Sequence, residues 1–456
     1  QTLTLTVGQG VAPGSYSLRV RGVSGNLARW VDLSLTVTQV EPQGVLDETF
    51  GSGGKVLLDL EPGNAYYGSR IALLVQPDGK IIMGGARADV TTNPNVLHTS
   101  VVRFHPDGTL DTSFGNGGMF LAHYSVDIYL DDWWGGADLT PDDGVVLTVK
   151  AANRRPGPNN CPDLRSWDIL VAKLSGSGQP LWTRWYNLLV DDRGTPNNPC
   201  DDVYSGFEPE FVRVGPDGKI LIGGWNNSGY VGFDGFGAFL LRLNPDGTPD
   251  ASFGSGGKVL VPRTSAAAYY AATFLPDGRI VVGGNVVNNN NTDLLVARYH
   301  PDGTLDTSFG TGGFTVLNPG NTHETVYDIK LQPDGKLVLA IAVGTTRTGV
   351  CRLNPDGSLD QGFHCGTVHQ GPGAGSMGAL ALQPNGKVLL VAMNFYAFYV
   401  YRLAATDGSQ EASWSFGFGG PGARGYGIAY LPDHKILVGG WASNGSFWDF
   451  ALVRLR

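Results

Sequence analysis

The sequence predicts an all-β protein, a seven-bladed β-propeller with a short β-segment in front of it. One tight-turn motif recurs seven times, and short apolar runs with strand character flank each copy. No stretch shows the periodicity of an amphipathic helix. Each repeat is therefore expected to be one antiparallel sheet, and the repeats are expected to surround a common axis.

The recurring turn is Pro-Asp-Gly with small variations. Proline presets φ at the first central position, aspartate suits the second, and glycine takes the left-handed position that closes a hairpin. The prolines recur about every 59 residues, a period typical of one supersecondary unit per repeat. The seven copies contain Pro77, Pro141, Pro216, Pro276, Pro333, Pro384 and Pro432.

A second turn of the same kind follows the third strand in four repeats and leads towards a Phe-Gly-x-Gly-Gly segment, as at Leu305–Gly313. No helix follows that segment and no Lys-Ser/Thr pair completes it, so we expect a glycine turn anchored by a buried phenylalanine, not a phosphate site. A fourth strand then leads out and completes the blade. The segments begin at Phe50, Phe114, Phe253, Phe309 and Phe416.

Composition limits the partners. The net charge of −9 and the lack of a basic run argue against nucleic acid. No apolar run is long enough to span a bilayer, so membrane insertion is not expected. No signal peptide is present, which suits a mature or truncated chain. An even number of cysteines, four, suits an oxidising compartment.

Residues 1–41 do not follow the repeat. Thr2–Val7, Ser15–Arg21 and Trp30–Thr38 alternate like half-buried strands and are similar to the last three strands of an immunoglobulin-like domain. Three strands cannot close a sandwich of about seven. Either upstream sequence has been cut away, or another chain supplies the missing strands.

The propeller is expected over residues 42–456, closed by its own N-terminal segment. Leu46–Val56 repeats the outgoing part of a blade before any hairpin has appeared, and Ala451–Arg456 ends the chain in a third strand. We therefore predict that the N-terminal segment supplies the outer strand of the last blade.

The second repeat is irregular, with insertions at about 151–167 and 190–206. Loops of such length are usually functional or cross-linked. We expect one disulfide to fasten the insertions and another to follow a third strand, with free, buried thiols as the alternative. The expected pairs are Cys161–Cys200 and Cys351–Cys365.

Four acidic residues beside Cys200 would converge if the first disulfide forms. They either stay solvated or bind calcium, and no other cofactor is expected. These residues are Asp191, Asp192, Asp201 and Asp202.

Four tryptophans surround the irregular repeat, and they suit two roles. Exposed indoles beside carboxylates are a common sugar-binding surface, whereas buried ones fill the wedges between blades. The four are Trp133, Trp134, Trp182 and Trp185.

Charged residues on the inner strands are expected to line the channel. Asp138, Arg213 and Lys330 stand three residues before a hairpin proline, and Asp328 lies two residues before Lys330. Two acids and two bases could bind a small polar ligand, but mutual neutralisation with trapped water explains them equally well.

No catalytic residue can be assigned. The histidines lack metal-site spacing, and nothing resembles Gly-x-Ser-x-Gly.

The run Leu-Asp-x-Ser-Phe-Gly-x-Gly-Gly, followed by Gln-Pro-Asp-Gly-Lys and Val-x-Arg-Leu-Asn-Pro-Asp-Gly-Thr, resembles the delta-60 repeat family of bacterial extracellular proteins. The resemblance covers Leu46–Arg456 and is weak across Ala151–Gly206. It implies a secreted or surface-anchored propeller, often beside immunoglobulin-like modules, without general catalytic residues to transfer.

Two functions are expected. The first is a non-enzymatic extracellular module for adhesion, display or assembly, whose partners are other subunits or surface proteins, with strand donation by residues 1–41 building a fibre. The second is a carbohydrate-binding or carbohydrate-active propeller that recognises cell-wall or extracellular polysaccharide at the channel mouth or the second-repeat insertion.

Overall fold

A computed structural model describes an all-β chain in which seven four-stranded antiparallel sheets form the blades of a propeller. The described part of the chain contains no helix, and hence none that could cross a membrane. The described residues are 14–24, 27–37, 41–58, 70–89, 93–125, 132–155, 164–188, 190–191, 203–204, 206–226, 236–262, 267–288, 291–320, 322–370, 374–445 and 448–456.

The strands are numbered in chain order. Before the first blade come β1 (Gly14–Ser24), β2 (Leu27–Val37) and β3 (Lys55–Leu58), of which β1 and β2 pair as an antiparallel two-stranded sheet. From the innermost to the outermost strand, blade 1 contains β4 (Ala72–Val75), β5 (Ile81–Asp89), β6 (Asn93–Phe104) and β7 (Met119–Ala122). Blade 2 contains β8 (Trp133–Leu139), β9 (Val145–Arg155), β10 (Leu164–Leu174) and β11 (Pro180–Tyr186). A small separate pair, β12 (Val190–Asp191) and β13 (Val203–Tyr204), follows.

The remaining blades repeat this order. Blade 3 contains β14 (Phe207–Val214), β15 (Ile220–Asn226), β16 (Phe236–Leu243) and β17 (Lys258–Pro262). Blade 4 contains β18 (Ala267–Phe274), β19 (Ile280–Asn288), β20 (Asn291–Tyr299) and β21 (Phe314–Leu317). Blade 5 contains β22 (Glu324–Leu331), β23 (Leu337–Val343), β24 (Arg347–Leu353) and β25 (Gly366–Gln370). Blade 6 contains β26 (Ala374–Leu382), β27 (Val388–Asn394), β28 (Phe398–Leu403) and β29 (Gln410–Phe416). Blade 7 contains β30 (Ala423–Tyr430), β31 (Ile436–Ser443), β32 (Trp448–Leu455) and finally β3.

The predicted ring closure is confirmed. Strand β3 pairs antiparallel with β32, with Lys55 opposite Val453. The two ends of the ring also meet in a turn, because the Gln43 amide donates to the Arg456 carbonyl at 3.0 Å and the Arg456 amide donates to the Val45 carbonyl at 2.9 Å. The segment 41–44 thus occupies the place that a continuous Asn-Pro-Asp-Gly turn has in other blades.

The turn chemistry explains the hairpins between first and second strands. In blade 1 the Gln76 amide donates to the Lys80 carbonyl at 2.8 Å, and the Asp78 carboxylate accepts the Lys80 amide at 3.0 Å. Gly79 has φ of +84°, a value that only glycine adopts without cost. In blade 7, His434 takes that position at +66°, so the backbone geometry is kept without glycine.

The Phe-Gly-x-Gly-Gly segments have the structural role expected of them. Phe50, Phe114, Phe253 and Phe309 have no exposed surface. Phe416 differs from them, because it ends the outer strand β29 instead of preceding it. Blade 6 therefore forms its outer strand directly after the turn, as blade 2 does.

A repeated group of charges, here called the blade clamp, joins neighbouring blades. A third-strand arginine donates through Nε to a buried or largely buried aspartate at 2.7–2.8 Å. Its guanidinium carbon lies 4.1–4.8 Å from the ring centroid of the anchoring phenylalanine, which in blade 5 is Phe363. A lysine or arginine from the first hairpin reaches the same aspartate at 2.9–3.3 Å. The arginine–aspartate pairs are Arg103–Asp111, Arg242–Asp250, Arg298–Asp306, Arg352–Asp360 and Arg454–Asp47.

The clamp arginine also reaches the next blade. In blade 4, Arg298 Nη1 donates to the Pro355 carbonyl of blade 5 at 2.7 Å. In blade 7, Arg454 donates to the Pro106 carbonyl of blade 1, so the same contact closes the ring. One side chain therefore fixes the position of two sheets.

The clamp aspartates are strongly biased towards the charged form. Burial opposes their ionisation, but the two cations and hydrogen bonds from neighbouring hydroxyl and amide groups hold the pKa of Asp47, Asp111, Asp250 and Asp306 well below the usual range. Lys336, with Arg352 and the Gly362 amide, lowers the pKa of Asp360 to about 2 despite burial.

The disulfide between Cys351 and Cys365 is confirmed and joins β24 to the segment before β25. Cys161 and Cys200 lie outside the described residues, as does most of both insertions. The β1–β2 pair belongs to residues 1–41, but its relation to an immunoglobulin-like domain stays a prediction, as do the two domain ranges.

We predict that Asp47→Ala lowers the free energy of unfolding by about 3 kcal/mol, because it leaves Arg454 and Lys435 without their shared buried acid at the ring closure. Urea unfolding followed by tryptophan fluorescence measures the change. Asp78→Ala is the control, since this exposed turn residue should cost less than about 1 kcal/mol. Equal losses for the two variants would contradict the role of the clamp.

The depressed pKa values also predict the pH dependence of stability. A carboxylate whose folded pKa lies below its unfolded value contributes stability above about pH 4, and this contribution is lost as the pH falls through the folded pKa. We therefore expect the contribution of the clamp aspartates to the free energy of unfolding to stay constant above about pH 4. Between pH 4 and 2 this contribution, and with it the free energy of unfolding, should fall. Urea titrations at stepped pH test this. Asp306→Asn should lose less stability than wild type over the same interval, and an unchanged slope would count against the clamp as its source.

Candidate functional site

The seven inner strands β4, β8, β14, β18, β22, β26 and β30 surround a central cavity of about 300 Å³. Five of these strands carry a bulge at the same place, six residues before the hairpin proline. A bulge re-aims the side chain of the extra residue, and here all five such residues line the cavity. They are Gly135, Glu210, Tyr270, Tyr327 and Tyr426.

The four charged residues predicted for the channel line this cavity: Asp138, Arg213, Asp328 and Lys330. The two carboxylates are occupied by backbone groups of neighbouring blades. Asp138 accepts the Val214 amide at 2.9 Å, and Asp328 accepts the Leu380 amide at 2.9 Å.

Both channel cations have partners as well. Lys330 Nζ contacts Asp328 at 3.0 Å, and Arg213 Nη1 donates to the Val212 carbonyl at 2.9 Å. These contacts give the channel charges a structural role, and ligand binding by them stays a prediction.

A second cavity of about 240 Å³ adjoins the first at the end of the channel where the inner strands begin. We call it the mouth pocket. It shares several lining residues with the central cavity and adds the exposed Trp133 and the ion pair of Lys150 and Glu208, at 2.5 Å. The residues common to both cavities are Arg70, Trp134, Glu210, Tyr270, Tyr327 and Met377.

Arg70 is the cation that lines both the mouth pocket and the central cavity. Its Nη1 contacts the Glu210 carboxylate at 3.3 Å and donates to the Glu210 carbonyl at 3.1 Å. Its guanidinium carbon lies 5.1 Å from the ring centroid of Tyr270 and 5.0 Å from that of Tyr327. The arginine is therefore held by one acid and two aromatic rings from three different blades.

Burial determines the ionisation of the site. It raises the pKa of Glu210. Two neighbours partly offset this rise, namely Arg70 and the Trp225 indole, which donates to the carboxylate at 2.8 Å. Burial likewise raises the pKa of Tyr270 and of Tyr426. These tyrosines therefore stay protonated and can donate hydrogen bonds at neutral pH.

The four predicted tryptophans do not form one surface. Trp133 is 53 % exposed and Trp134 only 8 %, and both line the mouth pocket. Trp182 and Trp185 lie on the outer strand β11, three strand spacings or about 14 Å from β8. Both are partly buried against the blade cores. Sugar contact at the mouth pocket is therefore open to Trp133 alone among the four.

Sequence reasoning missed Arg70, Glu210 and the tyrosines. One signal was present, because Tyr270, Tyr327 and Tyr426 each stand six residues before a hairpin proline. Arg70 precedes the first inner strand, and no repeat pattern indicates it.

No group of three or more histidine, cysteine or acidic side chains suited to a metal ion occurs within the described ranges. The calcium ligands proposed from the sequence cannot be placed, because Asp192, Asp201 and Asp202 lie outside those ranges and the side chain of Asp191 is not described.

Blades, channel and closing strand define the protein as a seven-bladed β-propeller. The chain is similar to the family described as "Domain of unknown function (DUF5122) beta-propeller", whose model matches residues 76–114, 215–253, 275–309, 332–363 and 431–456. The resemblance to delta-60 repeats stays a prediction. No curated protein matches the chain.

Several solved structures are similar to the chain at low identity. An ulvan lyase of polysaccharide lyase family PL25, bound to -[GlcA(1-4)Rha3S]-, is 10% identical with a TM-score of 0.50, over 86% of this chain and 94% of that one. The polysaccharide lyase Uly1 is 10% identical with a TM-score of 0.49, over 88% and 93%. The intramolecular trans-sialidase from Ruminococcus gnavus is 11% identical with a TM-score of 0.41, over 86% and 95%. At such identities the likeness shows the fold alone.

Proposed function

We propose that the protein is a non-enzymatic extracellular module that binds a carbohydrate in the mouth pocket. The observation that carries this proposal is the exposed indole of Trp133 on the cavity that also contains the Arg70–Glu210 pair. A flat aromatic face packs against the apolar face of a sugar ring, and converging polar groups orient the hydroxyls.

The setting of the site supports binding. Tyrosine rings from two separate blades hold Arg70 in place, so a ligand would meet a preformed surface. The ulvan lyase, whose fold is similar, was solved bound to -[GlcA(1-4)Rha3S]-, so a protein of similar fold can hold a saccharide.

The state of the ionisable groups favours binding over cleavage. Glu210 is engaged by Arg70 and Trp225, and Glu208 is engaged by Lys150. A general acid or base needs a proton that can move to the substrate.

An extracellular location belongs to the same proposal, because the disulfide between Cys351 and Cys365 suits an oxidising compartment.

We predict that a polysaccharide panel yields binding without release of reducing ends. Trp133→Ala should weaken binding about tenfold, because it removes the stacking surface. Calorimetry and a reducing-sugar assay measure the two properties. Leu181→Ala is the matched control, since Leu181 is equally exposed, at 54 %, but lies on the outer strand β11.

Each outcome of the panel is decisive. Release of reducing ends by wild type would replace the binding proposal with an enzymatic one. If no sugar of the panel is bound or cleaved, the carbohydrate proposal is rejected altogether.

A second proposal concerns assembly through the β1–β2 pair. Trp30 is 58 % exposed and Val31 55 %, and among the described strands β1 and β2 pair only with each other. A two-stranded sheet with exposed apolar side chains is marginal alone and gains stability when another strand joins its edge. We propose that a second copy of the chain supplies that strand, which is the donation expected from the sequence.

Light scattering across a concentration series tests assembly. We predict oligomers for the full chain and a monomer for Val31→Lys, because a charge on the exposed face opposes sheet extension. Val287→Lys, at a comparably exposed residue of blade 4, should leave the oligomers intact. Monomeric wild type at every concentration would contradict the proposal.

A further inference from the structure

Hydrogen-bonding capacity is unevenly used in the mouth pocket. Its acceptors are taken by the protein, whereas some of its donors are not. We infer that the pocket selects an acidic sugar, with Arg70 receiving the carboxylate of a uronic acid. This inference rests on the carbohydrate-binding function proposed above and names its ligand class.

The acidic side chains of the pocket already accept hydrogen bonds. Glu210 accepts from Trp225 at 2.8 Å and contacts Arg70 at 3.3 Å. Glu208 contacts Lys150 at 2.5 Å. The buried Asp132 accepts the backbone amides of Tyr124 at 2.8 Å and Ser125 at 2.9 Å. A ligand rich in hydroxyl donors would therefore find few free carboxylate oxygens.

The donors behave differently. The polar contacts of Arg70 with the described residues all run through Nη1, so Nε and Nη2 donate to none of them. Trp134 is 92 % buried, lines both cavities, and its Nε1 has no hydrogen-bond partner in the described part of the chain. Because Trp134 Nε1 is closed to solvent, the donors open to a ligand are those of Arg70, whose side chain is 20 % exposed.

A carboxylate fits the free edge of Arg70. Nε and Nη2 lie on one side of the planar guanidinium and donate in parallel, which matches the two oxygens of a carboxylate. The stacking of Arg70 with Tyr270 and Tyr327 restrains the guanidinium before any ligand arrives, so less side-chain freedom is lost on binding.

Local charge does not oppose this assignment. Arg70 offsets Glu210 and Lys150 offsets Glu208, which leaves Asp132 as the further acid of the lining. Its carboxylate is held by two backbone amides, and burial raises its pKa. Burial raises the pKa of Glu210, and this weakens the negative charge that an incoming carboxylate would meet. The deeper cations are less suited, since Lys330 is paired with Asp328.

The first test changes the ligand and leaves the protein intact. Calorimetry with wild type compares a trimer of galacturonic acid, its methyl ester, the carboxyl-reduced neutral trimer and a sulfated neutral trimer. We expect the acid to bind at least about tenfold more tightly than the ester or the reduced sugar, because only the acid offers a charged bidentate acceptor. The acid, with its planar carboxylate, should also bind more tightly than the sulfated trimer.

The second test changes the protein. Arg70→Lys keeps the charge but removes the planar fork, so it should weaken binding of the acid about tenfold and leave binding of the ester nearly unchanged. Arg184→Lys is the matched control, because Arg184 lies on the outer strand β11 and bonds the Asp246 carbonyl. If Arg70→Lys fails to fold, the ligand series with wild type decides alone.

The outcomes separate this inference from the function it rests on. Equal affinity for acid and ester would overturn the acidic-sugar assignment and leave carbohydrate binding standing. Tighter binding of the sulfated trimer would overturn the carboxylate assignment. No binding of any trimer, together with silence on the polysaccharide panel, would remove the proposed function itself.

Discussion

The ring depends on a buried aspartate that must hold two cations at once. Removing a carboxylate from water costs several kcal/mol, and good geometry with both partners is needed to offset that cost. Arg279 comes from the first hairpin of blade 4 and Arg298 from its third strand, so the charge of Asp306 is stable only when both elements are in register. Arg298 also donates to the Pro355 carbonyl of blade 5. Correct folding of one blade is thereby coupled to docking of the next.

Blades that lack the standard clamp keep its contact by other means. In blade 6, Arg402 contacts both Glu411 and the N-terminal Glu41 at 3.2 Å and donates to the Pro42 carbonyl at 2.9 Å. In blade 2, Arg184 of the outer strand donates to the Asp246 carbonyl of blade 3 at 3.1 Å. Each substitute ends on the turn of the following blade. The requirement is therefore an arginine that reaches this turn, from whichever strand can supply it.

Sequence predicts this scaffold well because its determinants are local. Proline, aspartate and glycine, with a few substitutions, determine the hairpins within five residues. Cys351 and Cys365 are 14 residues apart, so their pairing was a short-range inference. The mouth pocket is different. Arg70 and Glu210 are 140 residues apart, and only the radius of the closed ring brings them together. The tryptophans of the irregular repeat are kept apart by the same geometry, since Trp134 and Trp185 belong to the inner and outer edges of one blade.

The bulge explains why the residues that line the cavity differ from blade to blade while the strand pairing of the blades is the same. Asp138 and Asp328 use their carboxylates to hold amides of neighbouring inner strands, so replacing them would disturb the blades themselves. The bulged residue is outside the ladder pairing and lines the cavity, so the hydrogen bonds of the sheet do not fix its identity. Glu210 and Tyr327 occupy equivalent places with unrelated chemistry. Five of the seven blades thus present a residue from outside the ladder to a common cavity, although at Gly135 a side chain would meet the Pro209 carbonyl.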